Sequence, residues 1–295
     1  MNRILFPDRF GAVLCLFLLG MPSLGFAQAL QAPISSTRDY GMSAVIGDPQ
    51  MSSALFNNPA GMSRGYTYAV EGQYIRGGLR QMNVLGGSVV DSKTQPSLAV
   101  GIGYGYGFTD ESADFKIESH DARLALSKAV VEKHIFAGVG FRYVRETVGE
   151  GESAQVLDGF TLDPGALFVL TESFSIGVVG QNLMKVKGLP RRAGAGVAIG
   201  AQGFILDGDV LMDFTSNPDE SKAIYKVGTE FLVGESVPLR AGFIEDTATE
   251  ARWISGGIGF LQVDGPRGNQ LNLSYKQRID TDDVYFFAVG MTVFL

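Results

Sequence analysis

The sequence predicts an all-β fold, a transmembrane antiparallel β-barrel of about fourteen strands with an N-terminal segment associated with its lumen. Three observations carry that expectation. The stretch from Asp283 to Leu295 alternates Tyr285, Phe287, Val289, Met291, Val293 and Leu295 with Phe286, Ala288, Gly290, Thr292 and Phe294, the period of a strand with two unlike faces. It reads as a closing strand, with the odd positions toward lipid and the even ones toward the lumen, because a sheet edge cannot be left open in hydrocarbon. The chain is also apolar without membrane helices: 39 Gly, 20 Phe and only 19% charged residues, yet no stretch after residue 27 has the length and continuity of a spanning helix. Finally, its first residues look like an export signal.

That signal is assigned to residues 1–27. Arg3 and Arg9 flank a polar start, Phe10 to Gly20 is an apolar run, and Pro22, Ser23, Gly25 and Ala27 lead to small residues suited to cleavage after Ala27 or Ala29. The run is shorter than the roughly 20 residues of a spanning helix. The single cysteine, Cys15, lies within it and follows Leu14, so no lipid anchor is expected and the mature chain has no cysteine. Without disulfides, an exported chain must hold itself by packing or by closing a sheet. The net charge of −7 disfavours nucleic acid as a partner.

Residues 28–64 form a different segment. They contain Pro33, Pro49 and Pro59, show no period-two alternation, and place Asn58 before Pro59 as a helix cap before a first helical position. This segment is the expected occupant of the lumen, or else lies in the periplasm. Residues 65–295 are expected to form the barrel. Alternation starts at Tyr66, where Tyr66, Tyr68, Val70 and Tyr74 oppose Glu71 and Gln73. Further strands are expected near 80–91, 96–109, 116–130, 133–148, 158–170, 172–182, 190–201, 203–215, 221–233, 236–245, 250–262, 268–279 and 282–295. An even count puts both barrel ends of the chain on the periplasmic side.

Face assignments follow from parity. In the fifth strand Ile135, Ala137, Val139, Phe141 and Tyr143 oppose Gly138, Gly140 and Arg142. In the ninth, Phe204, Leu206, Val210, Met212 and Phe214 oppose Asp207, Asp209 and Asp213; in the thirteenth, Leu271, Leu273 and Tyr275 oppose Asn272, Ser274, Lys276 and Arg278. Charge on a lipid face is destabilising, so the polar faces are assigned to the lumen. The expected lumen charges are Arg142, Asp207, Asp209, Asp213, Lys226, Glu230, Arg240, Lys276 and Arg278. They fit either a pore lining that tunes selectivity or cross-strand ion pairs that hold the wall or fasten a plug.

Other patterns argue for structure over chemistry. Gly101-Ile102-Gly103-Tyr104-Gly105-Tyr106-Gly107 alternates as a strand with inward glycines and has no phosphate-binding helix after it. Gly194, Gly196 and Gly200 repeat the theme, and inward glycines clear space beside whatever fills the lumen. His120 and His134 have no metal-site spacing, and Asp280, Asp282 and Asp283 read as a polar turn. No catalytic constellation is legible, so neither an enzyme, a cofactor nor a metal is expected. Connections on the outer side are acidic, as in Gly149-Glu150-Gly151-Glu152-Ser153 and Asn217-Pro218-Asp219-Glu220, and the longest of them is expected at about Glu146 to Leu157. The exception is basic, with Lys185, Lys187, Arg191 and Arg192, and outer-membrane lipid and lipopolysaccharide are the expected surroundings.

Several local motifs resemble one family. Asn57-Asn58-Pro59-Ala60-Gly61-Met62 ahead of the first strand resembles the Asn-Pro-Ala-Gly element of FadL-like outer-membrane transporters and their PorV/PorQ-type relatives. Gly180-Gln181-Asn182-Leu183, then Leu189-Pro190-Arg191-Arg192-Ala193-Gly194, is similar to that group, as is Leu239-Arg240-Ala241-Gly242-Phe243 followed by Gly256-Gly257-Ile258-Gly259-Phe260. The resemblance implies fourteen strands, an N-terminal segment in the lumen, and carriage of long-chain fatty acids or other hydrophobic compounds. Fatty-acid transporters build a capture groove from long outer loops, whereas the outer connections here read short. The expected function is passive uptake of small hydrophobic compounds, with Asn58, Pro59, Ala60 and Gly61 as plug elements. The alternative is a structural barrel that docks a periplasmic or secretion-system protein, the role the PorV-type relatives suggest.

Overall fold

A computed structural model of the chain describes residues 34–78, 81–95, 97–110, 113, 116–149, 154–216, 220–264, 267–281 and 283–295. The expected export signal, residues 1–27, lies outside them. The sheet is one closed barrel of fourteen antiparallel strands, each paired with its sequence neighbours, with the first and last joined. In chain order these are β1 (Tyr68–Gly77), β2 (Met82–Asp91), β3 (Ala99–Thr109), β4 (Ile117–Val131), β5 (Ile135–Val148), β6 (Gln155–Thr171) and β7 (Phe174–Gln181). They continue as β8 (Arg192–Ala201), β9 (Phe204–Asp213), β10 (Lys222–Val233), β11 (Val237–Asp246), β12 (Ala251–Asp264), β13 (Arg267–Arg278) and β14 (Tyr285–Phe294). The closing seam runs from Ala69 opposite Phe294 to Gly77 opposite Phe286, and the Leu295 amide donates to the Tyr68 carbonyl at 2.9 Å.

Closure explains why alternation dominates the sequence. A barrel has an outside and an inside, so each strand needs two chemistries at period two. In β3, Ile102 and Tyr104 point outward and are exposed, while Gly101, Gly103 and Gly105 point inward and are buried. In β14 the expected register holds: Tyr285, Phe287 and Met291 are exposed outside, and Ala288, Gly290 and Thr292 are buried inside.

The interior is filled by residues 34–63. Helix α1 (Thr37–Met42) lies against β10 to β14, helix α2 (Met51–Asn57) against β1 to β4, and a 3-10 turn (Pro59–Ser63) against β3 to β6. The stretch 44–48 between the helices crosses β7, β8 and β9. The segment thus lies against the whole circumference. Ser36 caps α1 in a capping box with Asp39, and Asn58 caps the 3-10 turn, as the Asn-Pro pair predicts.

The two barrel ends differ. At the end holding the start of β1 and the end of β14, five of the six connections are two or three residues, at 132–134, 172–173, 202–203, 234–236 and 265–266, and the sixth, 92–98, is seven. At the far end five of the seven span 110–116, 149–154, 182–191, 214–221 and 279–284, and the other two, 78–81 and 247–250, are four residues each. Two sequence boundaries move accordingly. β6 begins at Gln155, not 158, because its first ten residues pair with β5 beyond the reach of short β7. The longest far-end connection is therefore 182–191, not Glu146–Leu157, since β5 and β6 consume most of that stretch as strand.

Inward glycines let plug backbone meet wall backbone. A Cβ at Gly177 of β7 would fall on the Ile46 carbonyl, and one at Gly228 of β10 on the Met42 carbonyl. Gly177→Ala is therefore expected to leave the barrel closed while lowering stability by about 1–3 kcal/mol, the usual range for overpacking. Heat-modifiable gel mobility checks closure and the thermal midpoint checks the loss; an unchanged midpoint would show that the plug does not seat there.

Candidate functional site

The candidate site is the contact between the lumen segment and the wall. Its chemistry begins with residues 43–50, whose backbone is neither helix nor sheet and so leaves buried N–H and C=O groups without ladder partners. Wall side chains supply them. Asp209 of β9 accepts from the amides of Val45 at 2.9 Å and Ile46 at 3.1 Å, and Asp207 accepts from Asp48 at 2.8 Å. Ser175 of β7 donates to the Gly47 carbonyl at 2.7 Å.

The rest of the segment is held in the same way. Ser274 of β13 and Ser255 of β12 donate to the Thr37 and Gly41 carbonyls at 2.7 and 2.9 Å, and Glu71 of β1 accepts from the Thr37 amide at 3.2 Å. Arg123 of β4 donates to the Phe56 carbonyl at 2.6 Å while paired with Asp121 at 3.0 Å. Ser127 donates to the Ala60 carbonyl at 3.0 Å. Each of these wall residues sits on an inward parity position.

Asn58 is a junction between plug and wall. Its fully buried amide donates to the Ile46 carbonyl at 3.2 Å and to the Ala166 carbonyl of β6 at 3.3 Å, and its carbonyl accepts from Ala60 at 3.3 Å. Pro59 and Ala60 press on Gly138, and a side chain at Gly61 would overlap the Pro49 carbonyl. A second junction is ionic. Arg38 of α1 pairs with Asp48 at 3.2 Å and with Glu230 of β10 at 3.3 Å, and Glu230 also meets Arg240 of β11 at 2.5 Å. Arg64 closes on the same Asp48. Burial opposes the Arg38 charge, but Glu230 and Asp48 outweigh it and raise its pKa, keeping it ionised.

The structure brings together part of the charge set named from sequence. Asp207, Asp209, Glu230 and Arg240 gather at the plug. Arg142 pairs with Asp121 at 2.7 Å and Asp213 with Arg192 at 2.9 Å, both wall to wall. Lys226 points inward on β10; Lys276 lies over the Trp253 ring at 5.2 Å, and Arg278 reaches the Glu250 carbonyl at 3.4 Å. His120 faces outward against the Tyr104 hydroxyl at 2.7 Å, and His134 sits in an exposed turn. Sequence reasoning passed over Asp121 and Arg123, although their parity against Leu124 marks them as inward, and over Glu71 as a plug contact. The role of Arg38 and Asp48 had no periodic signal, since both lie in the irregular segment.

Beside the plug lies a cavity of about 490 Å³ at the terminal end. Its walls are Ile205, Leu232, Pro238, Leu261, Val263 and Phe294, and the plug face above them carries Arg38, Gln50 and Met51. A crevice of about 30 Å³ continues between Ser36, Ser52, Glu71 and Thr292. The site is therefore a filled barrel with a mainly apolar chamber against the plug, whose lining also carries Glu230, Arg240, Arg267 and Gln270.

The closed fourteen-stranded barrel is similar in fold to solved FadL-like outer-membrane barrels. No protein-family model matches the chain, and no curated protein matches it in sequence. Among solved structures, a Pseudomonas aeruginosa FadL homologue is similar at 13% identity, with 90% of this chain and 98% of that one covered and a TM-score of 0.65. The Ralstonia pickettii toluene transporter TbuX gives 10%, 88%, 97% and 0.65 on the same measures. The Pseudomonas putida toluene transporter TodX gives 10%, 90%, 98% and 0.56. At these identities the likeness is one of fold.

Removing one clamp tests this arrangement. Asp209→Ala should leave two buried amides unpaired, a loss of about 1–3 kcal/mol each. Hydrogen exchange by mass spectrometry should then speed up at Val45 and Ile46, while Asp213→Ala should leave their exchange as in the parent. Equal exchange in Asp209→Ala and parent would remove the carboxylate from its assigned role.

Proposed function

We propose that the chain is an outer-membrane channel for passive uptake of small hydrophobic compounds, gated by residues 28–64. The observation that carries this reading is the apolar chamber between plug and wall, whose volume lies within the roughly 300–1,000 Å³ of small-molecule sites. The exterior supports the membrane setting, because exposed Ile102, Tyr104, Leu206, Val210 and Phe287 form an apolar outer face that only lipid satisfies. The structural neighbours, which include toluene transporters and a monoaromatic hydrocarbon channel, support the substrate class. The longer connections at the far end, such as 182–191 and 214–221, support an orientation with that end outside, in which the chamber opens to the periplasm.

In this mechanism Asn58, Pro59, Ala60 and Gly61 anchor the plug against β5 and β6. The gate is the part that roofs the chamber, Arg38, Gln50 and Met51. Of the inward charges, Glu230 and Arg240 hold the gate, Asp207 and Asp209 hold the adjoining backbone, and Asp213, Arg142, Lys226, Lys276 and Arg278 line the outer lumen. A small shift of α1 would join the crevice to the chamber without an energy source. No chemistry is asked of any residue, so the reading is not enzymatic. The second reading, a barrel that docks a periplasmic or secretion-system protein, is favoured by the Arg38–Glu230–Arg240 pairing, which closes one side of the lumen by charge.

A reversible lock separates the two. Ser43 and Ser255 place their hydroxyls 2.8 Å apart, as do Ser52 and Ser88, so either pair converted to cysteine can bridge plug to wall. Liposomes holding the Ser43→Cys/Ser255→Cys protein should take up a monoaromatic probe when reduced and stop when oxidised. Uptake unaffected by oxidation would show that plug movement is not the gate, and no uptake by either form or by the parent would favour the docking reading.

A further inference from the structure

The Gly180-Gln181-Asn182-Leu183 motif has no part in the plug, yet it builds the most ordered connection of the far end. Asn182 is buried, and its side chain donates to the Val186 and Leu189 carbonyls at 3.1 and 2.8 Å and accepts from the Val186 amide at 2.8 Å. Its backbone amide donates to Asp163 of β6 at 2.7 Å, and the Leu183 and Met184 amides continue onto the Leu162 carbonyl and the Thr161 hydroxyl. The connection 182–191 is thus fastened along the part of β6 that rises above β7. Asn182 and Lys185 both take left-handed backbone, φ 53° and 58°, a conformation such residues hold only where the surroundings fix it.

The side chains this turn presents divide by chemistry. Leu183 and Met184 are 42% and 60% exposed, and Phe160 of β6, next in sequence to the Thr161 and Leu162 groups that their amides bond, is 68% exposed, so one edge of the turn is apolar. On the same turn Lys185 and Lys187 are exposed and Arg191 half-buried, and among the described residues none of the three pairs with a carboxylate. The neighbouring far-end connections carry acid instead, with Glu150 and Glu152 on one side and Asp219 and Glu220 on the other. An apolar rim beside three cations that have no carboxylate partner among the described residues, on a turn held by a buried Asn, matches the chemistry of a phosphorylated lipid, with acyl chains on the rim and phosphate on the cations.

We propose that the 182–191 connection is a binding site for a phosphorylated lipid of the outer leaflet, with Leu183 and Met184 on its acyl chains and Lys185, Lys187 and Arg191 on its phosphates. The site rests on the barrel orientation given above but not on transport. It fixes one side of the barrel to the lipid lattice, and the acidic connections face solvent.

The test compares the full chain with Lys185→Gln/Lys187→Gln/Arg191→Gln and with Lys128→Gln/Lys133→Gln, whose cations sit at the terminal end. Native mass spectrometry titrates diphosphorylated lipid A and its dephosphorylated form onto each protein, with heat-modifiable mobility confirming folding. At about fivefold per cation near a lipid surface, the triple variant should bind the diphosphorylated lipid on the order of a hundredfold more weakly. The terminal-end variant should match the parent, and the dephosphorylated lipid should not distinguish the three. Equal affinity of parent and triple variant, or an equal fall in the terminal-end variant, overturns the site. Displacement of the lipid by the same concentration of inorganic diphosphate overturns its assignment to lipid. Probe uptake into neutral-lipid liposomes should be the same for all three, so a failure of transport registers separately.

Discussion

Residues 43–50 run through the barrel as irregular backbone, and the hydrogen-bonding demand of that backbone shapes the surrounding wall. A strand or helix satisfies its own amides, but this buried stretch cannot. Asp207, Asp209 and Ser175 therefore stand where Val45, Ile46, Gly47 and Asp48 need partners. The glycines Gly177 and Gly196 face the same stretch because any Cβ there would displace it. Wall and plug are one solution to one constraint.

The magnitudes decide how such a plug can move. A hydrogen bond to a charged group contributes about 1.5–3 kcal/mol, so releasing every clamp at once is far beyond thermal reach. Releasing one junction is different. Parting Arg38 from Glu230 and shifting Met51 disturbs a few interactions, which is compatible with a minor state populated at about 0.1–10%. The chamber borders that junction, whereas Asn58 lies against the opposite wall, bonded to Ala166 of β6 and, within the plug, to Ile46 and Ala60. This asymmetry supports the proposed gating by local displacement, with the Asn58–Gly61 element fixed.

Much of the barrel was legible because lipid outside and plug inside impose opposite chemistries at period two. The register of β14, the inward direction of Asp207, Asp209 and Asp213, and the Asn58 cap all follow from residue type and parity. The start of β6 and the length of the 182–191 connection did not, since they depend on β7 stopping short while β5 continues, a tertiary fact without a local signal. Nor could parity tell a pore lining from a clamp. That distinction needed to know which inward charges meet the plug, as Glu230 does, and which meet only other wall residues, as Arg142 does. Arg38 and Asp48 lay beyond reach because irregular backbone carries no period.

Planar-bilayer conductance tests the central claim, that the N-terminal segment fills the lumen and is what closes it. The full chain and a chain lacking residues 28–64, each checked for closure by heat-modifiable mobility, would be compared at equal insertion. The full chain should be almost silent, and the shortened one should open stable conductance steps, because its fourteen strands still pair edge to edge around an emptied lumen. Equal conductance from two folded barrels would contradict the account.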